Sequence, residues 1–426
     1  MKRSYLLFLF LLLSMLLIRL YFFYQTTSKY YNGQAITFET ILLTEPEVSG
    51  KYQKLSVFID NREKIFITLP SFPLYYYGDT LRISGLIKKV SLDKPSNQNS
   101  QLLTKEKTVL TMFFPKVGAI KNRQVFLLAL TSFIRQKITN LYRKILPPTS
   151  ASLLIGIVFG IKEKMDASFY QSLKNAGVLH VIAASGMNVS MVASFLSSIF
   201  VFFLKRQFAL VLTIAGILFY ALLSGFEPSI VRASLMGILV FGGQILGRQT
   251  LAVYCLGLAG YTMLFFSPSL LFDIGFQLSF AATLGLLYLR PLFANLEKTN
   301  LLKKSVIGED IATTICAQVA TLPILLANFG TYSLFSVVAN GLVLWMIPFL
   351  MVAGSLAALF GFIFEFAAQV LLYISLPFLL LFQSIVTFFG SLPSIVNITI
   401  PFELALAYYF FLASFVTYQN KKNLHV

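Results

Sequence analysis

The side chains with chemistry to offer concentrate in one stretch, residues 177–191, GVLHVIAASGMNVSM. It opens an apolar run, yet it carries His180, Ser185, Asn188 and Ser190 among alanines and glycines. Polar groups inside a membrane span are costly unless they face protein or water. On a continuous helix His180, Ala184, Ser185 and Asn188 fall within an arc of about 140°. That arc is one wall of a cavity or one packing face. Ala183, Ala184, Ser185 and Gly186 are equally the small residues on which two membrane helices approach closely. His180 and Ser185 could also be base and nucleophile. Their offset, again about 140°, points them apart unless the Ala-Ala-Ser-Gly segment is unwound. No carboxylate is placed by sequence to orient the histidine, so no catalytic residue is expected.

Other chemistries are excluded by residue supply. The histidines are His180 and His425, and the cysteines are Cys255 and Cys316, both within apolar runs. A multi-histidine zinc site cannot be assembled from these, and a disulfide framework is not expected. The pattern G-x-x-x-x-G-K-[ST] is absent, so the chain has no P-loop ATPase of its own. No metal and no cofactor is expected.

The elements that must position the polar stretch follow from hydropathy. The chain has 426 residues, 57% of them hydrophobic, and a mean hydropathy of +0.77. Apolar runs recur near the roughly 20 residues that span a bilayer. The fold class is therefore a polytopic α-helical membrane protein of about ten transmembrane helices, with a small β-domain outside the membrane. The formal charge of +17 comes partly from basic cytoplasmic loops. It also suits an anionic partner, either lipid head groups or nucleic acid.

Residues 1–24 read as an uncleaved transmembrane anchor, because no small-residue cleavage site follows the apolar run. Residues 25–118 change character. Segments 35–43, 54–60, 64–69 and 80–90 are rich in Ile, Val, Phe and Thr and are separated by turn residues, which predicts a small antiparallel β-domain. Residues 119–147 place Ile134, Ile138, Leu141 and Ile145 on one face, with Arg135, Lys137, Arg143 and Lys144 elsewhere. That is the pattern of an amphipathic helix on the membrane surface, ended by Pro147-Pro148. Residues 152–161 are apolar but too short to span, so a re-entrant or buried helix is expected. Gly156-x-x-x-Gly160 favours close packing there. Residues 148–418 hold the remaining spans, near 178–204, 208–224, 228–246, 251–266, 271–293, 306–328, 334–360, 366–389 and 401–418, and 419–426 is a tail. Lys205/Arg206, Arg248, Lys298/Lys303/Lys304 and Lys421/Lys422 fall in every second connection. This alternation puts both termini in the cytoplasm and the β-domain outside.

Four stretches together resemble the ComEC/Rec2 competence family. They are the Ala-Ser-Gly-Met-Asn run at 184–188, PSIVRASLMG from Pro228, DIGFQLSFAATLGL from Asp273 and AQVATLPILLANFG from Ala317. The resemblance covers most of 153–349, and Asn188 stands where the family usually has His. It implies a membrane channel that carries one DNA strand inward. It also implies that the β-domain, with YYYGDTLRISGLI from Tyr75, is OB-like and extracytoplasmic. An OB-fold can bind single strands through aromatic and basic residues; Tyr75, Tyr76, Tyr77, Arg82 and Lys88 would serve, and a folded spacer with a Tyr-rich loop is the alternative. Many family members carry a metallo-β-lactamase-like domain after the channel. This chain ends at Val426 without a His/Asp cluster for two metals, so no nuclease is expected from it.

Several helices offer polar side chains to such a path: His180, Ser185, Asn188, Arg232, Asp273, Gln277, Gln318 and Asn340. Interhelical hydrogen bonding accounts equally for the amides, and mutual pairing for Arg232 and Asp273. The expected partners are single-stranded DNA and membrane lipid, with a separate DNA receptor. A cytoplasmic motor ATPase or single-strand-binding protein would pull, and a homo-oligomer is compatible. A secondary transporter of a small anion would use the same cavity, and a lipid-binding scaffold would use the basic surface helix. The expected site is the bacterial cytoplasmic (inner) membrane.

The loop alternation generates a direct test. In a chain with Cys255 and Cys316 replaced, a cysteine at Asn99 should react with an impermeant thiol reagent in intact cells. Labelling only after lysis would put the β-domain on the other side.

Overall fold

The computed structural model describes residues 2–25, 29–43, 46–49, 51–59, 63–75, 77–91, 108–119, 126–160, 165–182, 185–296, 306–329, 331–333, 335–392, 395–397 and 400–424. The chain is mostly helical, with a β-sheet region near its N-terminus. Helix α1 (Lys2–Gln25) precedes strands β1 (Ala35–Ile41), β2 (Glu47–Ser49), β3 (Tyr52–Ile59), β4 (Glu63–Pro70), β5 (Thr80–Leu86), β6 (Lys88–Ser91), β7 (Thr108–Phe113) and β8 (Lys116–Ala119). Next come α2 (Phe126–Ile145), α3 (Pro148–Phe159), α4 (Ala167–Asn175), α5 (Gly186–Phe203), α6 (Arg206–Leu223), α7 (Pro228–Ile245) and α8 (Ala252–Phe266). After these lie α9 (Ile274–Leu296), α10 (Val306–Phe329), β9 (Thr331–Ser333), α11 (Ser336–Val343), α12 (Met346–Phe360), α13 (Glu365–Ser391), β10 (Ile395–Asn397) and α14 (Phe402–Leu424). These elements divide into two compact units, Met1–Ser96 with Leu103–Phe133 and Leu235–Phe276, and Ile134–Ser234 with Gln277–Val426.

In the first unit, β1, β5 and β8 form one antiparallel sheet, with Ala35 opposite Leu86 and Leu81 opposite Ala119. The other sheet runs β2-β3-β4-β7-β6 and is antiparallel except where β4 lies parallel to β7, with Ile67 opposite Met112. Strict alternation along β3 and β4 turns Leu55, Val57, Ile65 and Ile67 inward, where they meet Leu81 and Ile83 of β5 in a common core. The expected OB-like barrel is not closed: among the described residues the strands stay in two sheets. Closure would need a ladder between β1 and β3. A side-chain bond stands there instead, Thr40 Oγ1 to the Phe58 carbonyl at 3.3 Å.

The second unit is built around α3. Its 12 residues rise only about 18 Å, well short of a bilayer. Every residue from Ser150 to Phe159 is buried, as expected of a short internal helix. Gly160 ends it at φ 67°, a left-handed turn that suits glycine. Leu154 and Val158 pack on Gly354 of α12, and Gly156 lies against Ile182. Helix α2 contributes Ile138 to this core, with Ile134, Leu141 and Ile145 half-buried beside it. Its Tyr142 hydroxyl donates to the Gly354 carbonyl. The helix thus turns its apolar side to the protein core, and it differs from the expected one in two respects. The helix begins at Phe126 rather than 119 (residues 120–125 lie outside the described set), and Arg135 is buried rather than on the solvent side.

Each apolar stretch read as a span contains a helix. Among the described residues, length and composition qualify four as membrane-crossing: Leu179–Phe203, Arg206–Leu223, Pro228–Ile245 and Glu365–Ser391. A fifth is added if α11 and α12, bent by 46°, count as one broken span. Helix α8, at 15 residues, is shorter than a full crossing needs.

Close helix contact in this unit rests on missing side chains. A Cβ on Gly390 of α13 would stand 2.7 Å from both Cα and O of Ser172 in α4. Backbone cannot swing aside as a side chain does. Gly390→Ala should therefore cost about 1–3 kcal/mol, read as a lower thermal midpoint of the purified protein. An unchanged midpoint would mean that α4 and α13 are not packed this tightly.

Candidate functional site

The polar stretch 177–191 is not one helix. His180 lies in a 3-10 turn, Leu179–Val181, and α5 starts only at Gly186. Ser185 is extended, at φ −106° and ψ 165°, and caps the helix. The arc expected of a continuous helix is therefore broken, with Ala183 and Ala184 outside the described residues. His180 stays exposed and its ring hydrogen-bonds the Gly177 backbone.

What Asn188 does follows from α3. The last carbonyls of a helix have no partner within it. Asn188 Nδ2 donates to the Ile157 carbonyl at 2.9 Å, and the Tyr220 hydroxyl of α6 donates to the Val158 carbonyl at 3.0 Å. Ser185 Oγ donates to Asn188 Oδ1 at 3.1 Å, which uses the other end of the amide and fixes its orientation. Sequence reasoning missed Tyr220. The available signal was a tyrosine in an apolar run, because a buried phenol needs a partner.

Arg232, one turn into α7, is 8% exposed. One Nη donates to the Thr283 hydroxyl of α9, which itself donates to the Ser279 carbonyl at 2.8 Å. The guanidinium lies 5.9 Å from the Phe280 ring, and its Nε has no partner. The other Nη sits 2.8 Å from where a Cβ on Gly186 would be. Only glycine at the start of α5 lets the charge come this close. Among the described residues, a buried guanidinium thus has one neutral hydroxyl partner and one aromatic ring, although it has five N–H donors to place.

Gln318 of α10 donates to Ser336 Oγ at 2.9 Å, and Ser336 donates to the Ser333 carbonyl at 2.8 Å. The Gly177 turn packs on Ser336, where a Cβ would come within 2.5 Å. The stretch 177–191 thus touches a serine–glutamine cluster at one end and Arg232 at the other. Asn340 of α11 is 1% exposed, and neither end of its amide has a partner among the described residues. In the first unit, Asp273 accepts from the Phe276 N–H at 2.8 Å and so caps α9. Gln277 is half-buried.

The β-domain candidates separate. Tyr77 is 2% exposed, a core ring that no base can stack on in this fold. Tyr76 lies outside the described residues. Tyr75 is half-buried and lines a hollow of 190 Å³ with Gln53, Phe72 and Pro73. Burial, then the Asp79 charge, pushes its phenol above the usual range. Arg82 is paired with Glu39 at 2.8 Å on the smaller sheet. Lys88 is exposed, 5.9 Å from the Phe113 ring. Among the described residues no three His, Cys, Asp or Glu side chains lie together as a metal site would need.

The family described as Competence protein matches residues 157–422. ComE operon protein 3 of Bacillus subtilis (strain 168) is 28% identical over 225 residues, covering 53% of this chain and 28% of that protein. An uncharacterized protein of Aquifex aeolicus (strain VF5) is 32% identical over 135 residues, covering 31% of this chain and 32% of its own length. The match thus spans about a third of each curated relative. No solved structure matches.

The α3 clasp makes a clean prediction. Asn188→Ala leaves the Ile157 carbonyl and the Ser185 hydroxyl without partners, which should cost about 1–3 kcal/mol. Tyr220→Phe should cost a similar amount. Thermal denaturation of the purified protein would register both. Midpoints equal to wild type would show that water or other groups take over the two carbonyls.

Proposed function

The chain belongs to the competence protein family, and from that premise we propose that it forms the membrane channel of a DNA-uptake system. The strand would be single, entering from the outer face and leaving in the cytoplasm. The single observation that carries this reading is Arg232: a buried guanidinium that has no carboxylate partner among the described residues, beside the start of α5, within the matched region. Burying a charge is expensive unless it is paired. A passing phosphate is a bidentate partner suited to arginine's planar fork. The Gly177, Ser185 and Gln318 contacts would then line the same path, with His180 exposed to it.

In this proposal the β-domain is outside, both termini are cytoplasmic, and the helices make about ten crossings. The β-domain's parallel β4–β7 pairing is compatible with an OB-like Greek key that has opened between β1 and β3. Inward movement of phosphate against a cell-negative potential costs about 2.3 kcal/mol per charge per 100 mV. A separate motor or cytoplasmic single-strand binder would supply that work, and a separate receptor would deliver the DNA. This segment would not cut the strand. The purified protein should leave labelled DNA intact with added Mg²⁺, Mn²⁺ or Zn²⁺.

The decisive experiment follows labelled-DNA uptake in cells carrying Arg232→Gln or Arg232→Lys. Protein abundance should stay near wild type. Uptake should fall about ten-fold or more for Gln, with partial recovery for Lys, because a lost charged hydrogen bond is worth about 1.5–3 kcal/mol. Normal abundance with normal uptake would remove Arg232 from the path. Equal loss of abundance and uptake would make its role structural.

A further inference from the structure

Strands with one face in a core usually turn polar side chains to solvent on the other. The five-stranded sheet departs from this. Its inner face is the aliphatic core of the β-domain, while its outer face is aromatic and basic. Phe58 of β3 is 42% exposed, Phe66 of β4 41% and Phe113 of β7 53%. The register sets these rings on neighbouring strands of one face: Ser56 lies opposite Phe66, and Thr68 opposite Phe113. Tyr52 extends the row at its edge, its ring 5.7 Å from that of Phe114. Lysines are interleaved with the rings. Lys64 lies over Phe66 at 5.1 Å, Lys88 over Phe113 at 5.9 Å, and Lys54 is exposed on the same face.

We propose that this outer face is a stacking platform for an unpaired nucleic-acid strand, with Phe58, Phe66 and Phe113 taking bases and Lys54, Lys64 and Lys88 taking phosphates. Flat rings accept any base, and a positive surface tracks the backbone. Leaving three phenylalanines in water has no benefit for folding, since their strands are already anchored by the inner face. Charge decides the occupant. A bilayer would draw the rings into hydrocarbon and carry with them the ammonium groups of Lys64 and Lys88, which lie over those rings rather than at a rim. A strand of phosphates instead draws the lysines off the rings and leaves the ring faces to the bases. The platform is distinct from Tyr77, which is buried, and from Arg82, which is ion-paired on the other sheet. It deepens the uptake reading by naming where a strand rests, and it takes only the ligand's identity from that reading.

The test uses the full chain in zwitterionic nanodiscs and a fluorescent unpaired 15-nucleotide oligomer. Phe66→Ala and Phe113→Ala should each weaken binding about ten-fold, within the range expected for losing one base stack, while the thermal midpoint stays at that of wild type. Lys64→Glu should weaken binding and flatten its decline with salt. The same oligomer in duplex form should bind less tightly. Should an aromatic variant fail to fold, the lysine variant, which leaves the rings in place, decides by the salt slope. Binding within two-fold of wild type in the Phe66/Phe113 double variant would overturn the proposal. So would unchanged oligomer binding with lost capture by phosphatidylglycerol vesicles, which would make the face a membrane contact. Binding by the purified chain without uptake in cells would leave the platform standing and remove the channel reading.

Discussion

The last carbonyls of α3 have nowhere to go but into protein. The helix is enclosed from Ser150 to Phe159, and the Ile157 and Val158 oxygens are answered by side chains of the protein. An unanswered buried acceptor costs about as much as a substantial fraction of a protein's net stability. Asn188 and Tyr220 meet this need from two different helices, α5 and α6. Their bonds fix the depth at which both helices pack on α3, while Gly354 of α12 fixes the opposite flank. The consequence runs further along the chain. With Asn188 held, α5 must begin at Ser185-Gly186, and the missing Cβ of Gly186 is what admits the Arg232 guanidinium. The position of the one buried charge on α7 therefore follows from how a short helix ends.

The Asn188 amide donates through Nδ2 and accepts through Oδ1, and both ends are used. An amide does not titrate, so whatever the position contributes in this chain, it contributes as a fixed neutral clasp.

Much of the architecture was legible in the sequence because it follows from hydropathy and turn chemistry. The helices at 206–223 and 228–245 begin and end within a residue or two of the apolar runs. Pro228 opens α7 as a first-turn proline should. The burial of 152–159 could be read from its length alone. The interruption at 177–185 was not legible, because alanine-rich sequence is compatible with helix, and what breaks it is tertiary: Gly177 at φ 70° packed on Ser336. The facing of the aromatic rings was not legible for a related reason. Tyr77, in a run of tyrosines, turns inward, while the exposed rings of β3, β4 and β7 are scattered singly and meet only through strand register. Register is set by pairing partners distant in sequence, so no local pattern displays it. Arg232 stood out in the sequence because a charge in an apolar run is costly. Its partner Thr283 carried no signal beyond a hydroxyl on another helix.

On the proposed reading the two basic features answer opposite requirements. The lysines of the sheet face are solvated, so their hold on phosphate comes largely from counterion release and weakens as salt rises. That suits a surface that must let a strand arrive, shift and leave. Arg232 is desolvated, and the same charge there acts through a lower dielectric, where each contact is stronger and little screened. A row of such groups would trap a polyanion, because conduction needs binding strong enough to enter and weak enough to leave. Among the described residues, the partner of Arg232 is the Thr283 hydroxyl rather than a carboxylate. A carboxylate would neutralise the guanidinium and would repel each phosphate that approached. A hydroxyl orients one edge of the fork without cancelling its charge, while the other edge rests against Gly186. A neutral partner is thus the arrangement that keeps one buried cation in place between phosphates while still presenting it to the next.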